Sequence, residues 1–212
     1  MRQLHAGPQW HLHEMQHLRG DERMQLSEYF LYDMREVMRA LPADGDVRQK
    51  FRSFSLEPRV GGRARSVKAF AEDLGFAVEE CDLPRGMNGR LVRDTWSDTG
   101  FRIEVSSRLS VEAKRFAVLH EMAHYFLHTD RNDPLAWTEH FDPSGSTFYV
   151  DKKAEREANN FAEAVLFGGA QLTAAYTLLG GDLKKIAKYF GVTEQVTRIA
   201  LSKLQRNAGP TV

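Results

Sequence analysis

The stretch RFAVLHEMAHYFLH, residues 115 to 128, decides how this chain is read. Phe116, Ala117, Val118, Leu119, Met122, Ala123, Tyr125, Phe126 and Leu127 make it apolar nearly all round, and such a helix belongs inside a core. His120, Glu121 and His124 sit in that apolar surround, where polar groups are costly unless paired or coordinated. They fit His-Glu-x-x-His. That spacing stacks two imidazoles one helical turn apart, where both can reach one metal ion. Glu121 then lies where it can take a proton from a water at that ion. A third protein ligand must come from elsewhere in the chain.

The same pattern occurs a second time, as HEMQH at residues 13 to 17. Gln16, Arg19, Gly20 and Asp21 surround it with polarity, and little apolar surface is available to bury it. It reads as chance spacing on a solvated arm. The histidines fall into two groups, His5, His11, His13 and His17 against His120, His124, His128 and His140.

His128 is the nearest third ligand in sequence, but it fails on geometry. Three histidines at successive fourth positions climb about 12 Å along a helix, and one ion cannot take both ends. KKAEREANNFAEAVLF, residues 152 to 167, offers a carboxylate instead. Glu155 shares a helical face with Ala158, Asn159, Ala162 and Leu166, which are otherwise small or apolar. It would complete a His2Glu site, and Asn159, one turn on, could bond a ligand histidine or Glu155. Glu157 is a rival on a different face.

The rest of the chain reads as α+β and mostly helical. Leu26, Tyr29, Phe30, Met34, Val37, Met38 and Leu41 follow helical spacing between Asp21 and Leu41, and Pro42 stops them. A short helix over Val47 to Phe54 and a turn-rich link from Pro58 to Gly62 follow. Val67, Phe70, Ala71 and Leu74 make one more helix face, closed by Gly75. FAVEECDL (76 to 83), GRLVRDTW (89 to 96) and FRIEVSS (101 to 107) read as three strands of a small antiparallel sheet. Ser110 caps the histidine helix, a long loop fills 130 to 149, and Asp151 caps the carboxylate helix. Helices over Gln171 to Leu179, Asp182 to Phe190 and Thr193 to Leu204 end the chain with a helix-turn-helix cadence at Gly191.

Composition narrows the class. Cys81 is the single cysteine among 212 residues, which excludes an internal disulfide and a cysteine-rich zinc site. Formal net charge is zero, so global charge gives no hint of nucleic acid or an anionic membrane. No apolar run is long enough to span a membrane and no secretory signal is visible, so a cytoplasmic protein is expected.

With these residues in view, the chain from about Arg63 to Leu204 resembles the ImmA/IrrE family of metallopeptidases. RFAVLHEMAHYFLH, then EREANNFAEAVLF, then DLKKIAKYFGVTEQVTRIALSKL occur in family order. The second matches the family element E-x-x-A-N-x-F-A. The resemblance implies a zincin-like, gluzincin-type core with His120, His124 and Glu155 as zinc ligands, manganese being a second metal the donors suit. It implies Glu121 as the catalytic carboxylate and Asn159 beside the ligands. It further implies a protein substrate, typically a helix-turn-helix repressor whose cleavage relieves repression of a mobile element or a stress response. His128, His140 and Tyr149 are candidates for transition-state or substrate contacts. After the second element the family carries Leu-Leu-Met-Pro, where this chain has Val165-Leu166-Phe167-Gly168-Gly169.

The expected organisation is an arm (1–20), a helical extension (21–58), the metallopeptidase domain (59–169) and a C-terminal helical subdomain (170–212). Lys184, Lys185, Lys188, Arg198, Lys203 and Arg206 make the last of these a conceivable DNA reader. Packing or repressor docking is the favoured reading. A non-catalytic regulator that binds a repressor or DNA is the alternative to an enzyme.

Overall fold

The computed structural model describes residues 34–129, 152–168 and 170–207, with side chains through Leu204. The expected arm, the N-terminal helix before Met34, the HEMQH match, Asp151 and the 130–149 loop with His140 and Tyr149 lie outside these residues.

Two helices open the described chain, α1 (Met34–Ala40) and α2 (Gly45–Leu56). Pro42 separates them, and the Asp44 carboxylate accepts from the Asp46 amide at 2.8 Å to start the second. Both bury an apolar stripe, Val37 and Leu41 from the first stretch, Phe51 and Phe54 from the second. The link expected after them is a short hairpin, β1 (Arg59–Val60) with β2 (Arg63–Ala64). Gly61 and Gly62 have φ of +57° and +76°, the left-handed pair that a two-residue hairpin turn demands.

Helix α3 (Val67–Asp73) is capped by Ser66, whose hydroxyl accepts from the Ala69 amide at 3.1 Å. Three strands follow, β3 (Ala77–Cys81), β4 (Gly89–Arg93) and β5 (Phe101–Ser106). The sheet is not antiparallel throughout, as the sequence led us to expect. Its order is β3-β5-β4, with β4 and β5 antiparallel but β3 and β5 parallel, Ala77 opposite Arg102 through Cys81 opposite Ser106. The reason lies in which strand can be buried. Phe101, Ile103, Glu104, Val105 and Ser106 of β5 are all buried, so it takes the middle. Strand β3 carries exposed Glu79 and Glu80 and suits an edge. The chain therefore leaves β3 for the far edge, returns in β4, and turns back into the centre running with β3.

Helix α4 (Val111–His128) contains the histidine motif, and Ser110 caps it by accepting from Ala113 N at 3.2 Å. It is the central element. It packs on α3, on β4 and β5, and most extensively on α5 (Lys152–Phe167). Helices α1 and α2 close the other side of α5. Phe51 of α2 makes edge-on contacts with Phe70, Phe126 and Phe161 at centroid distances of 5.0, 5.4 and 5.7 Å. One ring thus joins α2 to α3, α4 and α5, although it lies outside the part of the chain that resembles the family. Phe51→Ala is expected to cost about 3–5 kcal/mol of stability. Urea unfolding of the variant checks this, and an unchanged midpoint would make α2 a peripheral addition.

Helix α5 ends at Gly168, where a Cβ would lie 2.6 Å from Met34 Cγ and 2.2 Å from the Ala164 carbonyl. The glycine that replaces the family's proline-containing turn therefore lets α1 approach closely. Beyond it run α6 (Gln171–Leu178), α7 (Leu183–Phe190) and α8 (Glu194–Asn207). Asp182 caps α7, Gly191 ends it with φ +65°, and the Thr193 hydroxyl accepts from Val196 N at the start of α8. Ile186, Phe190, Val192 and Ala200 are buried here. Lys203 of α8 donates to both Glu163 oxygens at 2.7 and 2.8 Å and to Asn160 at 3.2 Å, which fastens α8 to α5. Among the described residues no helix is long and apolar enough to cross a membrane.

Candidate metal centre

Helix α4 carries His120 and His124 one turn apart on the face turned to α5, and α5 presents Glu155 in its first turn. His120 Nε2 and His124 Nε2 lie 3.0 Å apart. Glu155 Oε2 is 3.3 Å from the first, and Oε1 is 3.2 Å from the second. One donor atom from each of the three residues falls within 4.8 Å of the other two.

The far side of the His120 ring shows which nitrogen is free. Its Nδ1 lies 3.1 Å from Asn159 Oδ1, one turn beyond Glu155. Asn159 Oδ1 only accepts, so His120 Nδ1 carries a hydrogen, and in the neutral imidazole Nε2 keeps its lone pair. That lone pair points at His124 Nε2 and at a carboxylate. Such a set of donors repels itself unless a cation or a proton holds it together, and it suits a divalent metal of borderline softness.

Glu121 points into the same space. It is buried, and its Oε2 has no hydrogen-bond partner, which is unusual for a buried carboxylate. Burial pushes its carboxyl up to about 7, with His120 opposing the rise and Glu155 adding to it. Glu155 behaves oppositely. Burial raises it, but His120 and His124, when protonated, outweigh that through hydrogen bonding and charge and hold it at about 2. Burial also pushes His124 below its ordinary value, which keeps the imidazole neutral at neutral pH. The two carboxylates beside one cluster are thus driven apart, one kept ionised and one poised near neutrality.

Glu121, His120 and Glu155 lie in the wall of a cleft of about 990 Å³. Strand β4 borders it at Gly89, where an added Cβ would come 3.0 Å from Glu121 Oε1 and 3.1 Å from its Cγ. No sequence signal marks this glycine, because the close approach is tertiary. Phe116, Val196 and Ile199 supply an apolar wall, so α8 contributes to the cleft as well. His128 does not line it. It stands behind His124, its Nδ1 3.0 Å from His124 Nδ1 and its Nε2 3.1 Å from Glu157 Oε2. His140 and Tyr149 lie outside the described residues. A second group of donors, Glu79, Cys81 and Glu104, is similarly close, but Arg90 and Arg102 already bind the Glu104 carboxylate at 2.7 and 2.8 Å.

The IrrE N-terminal-like domain, the family Peptidase_M78, matches residues 71–202. The chain belongs to the ImmA/IrrE family of metallopeptidases. Metallopeptidase ImmA of Bacillus subtilis (strain 168) is 30% identical over 118 residues, which cover 55% of this chain and 64% of that relative. The chain thus spans just under two thirds of the relative it matches. Membership carries two consequences for the geometry above. The mostly helical α+β fold with its small sheets agrees with an M78 domain. The family also implies a divalent metal, and the His120, His124 and Glu155 group is a geometrically suitable place for one.

Proposed function

We propose that this ImmA/IrrE protein is a cytoplasmic zinc endopeptidase of the zincin type that cuts a helix-turn-helix transcriptional repressor. Relief of repression at a mobile element or a stress response is the biological outcome. The observation that carries this reading is the meeting of His120, His124 and Glu155 beside the buried Glu121 carboxylate, whose Oε2 has no hydrogen-bond partner, with His120, Glu121 and Glu155 lining one cleft.

In this reading His120, His124 and Glu155 hold the metal, and residues 59–169 form the catalytic domain. Bound there, zinc (or manganese) would polarise the scissile carbonyl and acidify the attacking water. The chain's own part is proton handling and shape. Glu121 accepts the proton of that water and returns it to the leaving amine. With a cation held at the cluster, the Glu121 carboxyl would be drawn down from about 7 and so be ionised and able to act as base at neutral pH. Asn159 holds His120 with Nε2 toward the cluster. Gly89 leaves room for Glu121. Gly89→Val is expected to push the carboxylate aside and lower cleavage about a hundredfold with zinc affinity unchanged. Parallel measurements of turnover and zinc binding check this.

The DNA-reading alternative is weakened by the placement of α8. Gln195, Val196, Ile199 and Lys203 face the cleft, so that side of the helix is not turned outward to a major groove. Substrate docking suits it better. The test is incubation of the zinc-loaded full chain with helix-turn-helix repressors purified from the same organism, followed by mass spectrometry of the products. Discrete fragments that vanish with a chelator are expected. An intact repressor that is nonetheless bound would favour the non-catalytic regulator.

A further inference from the structure

His128 and Glu157 touch neither the cleft nor the cluster of Nε2 and carboxylate atoms, yet they are built onto it. His124 is 1% exposed and turns Nε2 toward His120 and Glu155. Its other nitrogen, Nδ1, lies 3.0 Å from His128 Nδ1, and His128 Nε2 lies 3.1 Å from Glu157 Oε2. Glu157 Oε1 in turn is 3.8 Å from Lys153 Nζ. Glu155 and Glu157, two residues apart on α5, are thus divided between the two ends of His124.

The proton count along this row has one neutral solution. An ionised carboxylate only accepts, so His128 carries its hydrogen on Nε2. Its Nδ1 is then a lone pair and must accept. The donor it meets is His124 Nδ1–H, which leaves the lone pair of His124 on Nε2. Each hydrogen has one acceptor, and no histidine need be charged. The result matches what Asn159 does for His120, reached through one more side chain.

We infer that Glu157, acting through His128, fixes the tautomer and ring orientation of His124 so that Nε2 is presented to the metal. Both are positioning residues. They sit where a metal-ligating histidine ordinarily meets a carboxylate or a carbonyl directly. Here an imidazole is interposed. The inference rests on the reading of His124 as a metal ligand, and goes beyond it by assigning two residues that touch neither metal nor substrate.

The plain competitor is that His128 and Glu157 only tie α4 to α5. Isosteric substitutions separate the two. Asn at 128 places its amide oxygen where the accepting Nδ1 stood, whereas Leu fills the space with no acceptor. Zinc affinity of the full chain, measured by competition with a chromogenic chelator, is expected to fall about 10–100-fold in His128→Leu, with most of the loss recovered in His128→Asn. Glu157→Ala is expected to lose about tenfold, and Glu157→Gln, which keeps an acceptor oxygen, to stay near wild type. The visible bands of the cobalt-loaded protein should shift in the Leu and Ala variants and not in the Asn and Gln variants. Equal losses within either pair would assign the effect to packing and overturn the inference. So would wild-type zinc affinity in all four variants while His124→Ala binds no zinc. If His124→Ala binds zinc as the wild type does, the ligand assignment itself fails and takes this inference with it. Should His128→Leu not fold, the partly exposed Glu157 pair decides alone.

Discussion

Glu121→Gln is expected to lower cleavage by at least about a thousandfold while zinc content and fold are unchanged. A positioned general base is typically worth about 10²–10⁴ in rate, and this one is asked to move a proton twice. The amide keeps the shape of the carboxylate but cannot accept a proton from water. The variant should also be more stable than the wild type in the metal-free state, because the carboxylate is buried and its Oε2 is unpartnered. A carboxyl raised to about 7 when folded binds more protons folded than unfolded between its ordinary value and 7. The metal-free wild type therefore loses stability as pH rises through that window. The loss is of order 3–4 kcal/mol, from the roughly 1.4 kcal/mol carried by each pH unit of displacement. The Gln variant lacks this slope. Opposite movements of activity and stability distinguish a catalytic carboxylate from a structural one. Melting curves from pH 5 to 8, recorded beside turnover, measure both, and retained cleavage in Glu121→Gln would end the proposed mechanism.

Glu155→Ala is expected to have the largest effect on metal. It removes one of three protein donors and the only negative charge among them, and affinity should fall by more than the roughly 10–100-fold typical of residues that merely support a ligand. The loss is visible without any substrate. Zinc at about a thousand times its dissociation constant stabilises a protein by about 4 kcal/mol. For a chain of this size that is a rise of roughly 8–16 °C in melting temperature. The wild type should show such a rise on adding zinc, and Glu155→Ala should show almost none at the same concentration. Calorimetry with and without zinc decides it. An equal rise in both would remove Glu155 from the ligand set.

The legible and illegible parts of this molecule differ in kind. Helix α4 could be read because its apolar residues run nearly all round, so three polar groups in its midst demanded an explanation. Glu155 could be read because Asn159 and Ala162 repeat its helical face. These are local patterns. The direction of β3 could not be read, since its parallel partner β5 lies beyond β4 in sequence and only burial ranks which strand takes the centre. The two-residue strands of the Gly61–Gly62 hairpin are too short for alternation to show. Phe51 falls within the short helix expected over Val47 to Phe54, but nothing local puts it at the junction of four helices. Gly89 owes its importance to Glu121, a residue of another element. His128 stands in the sequence as one of three candidates for transition-state or substrate contact. The structure turns it the other way, toward Glu157, because the carboxylate helix lies alongside only after folding.

The central claim is that the metal is held at HEMAH and Glu155 and not at the other match, HEMQH. Zinc per chain, measured by plasma mass spectrometry after dialysis of two double variants of the full chain, tests this most directly. His13→Ala/His17→Ala should keep one zinc, and His120→Ala/His124→Ala should keep none. Zinc retained in the second variant and lost from the first would contradict the account.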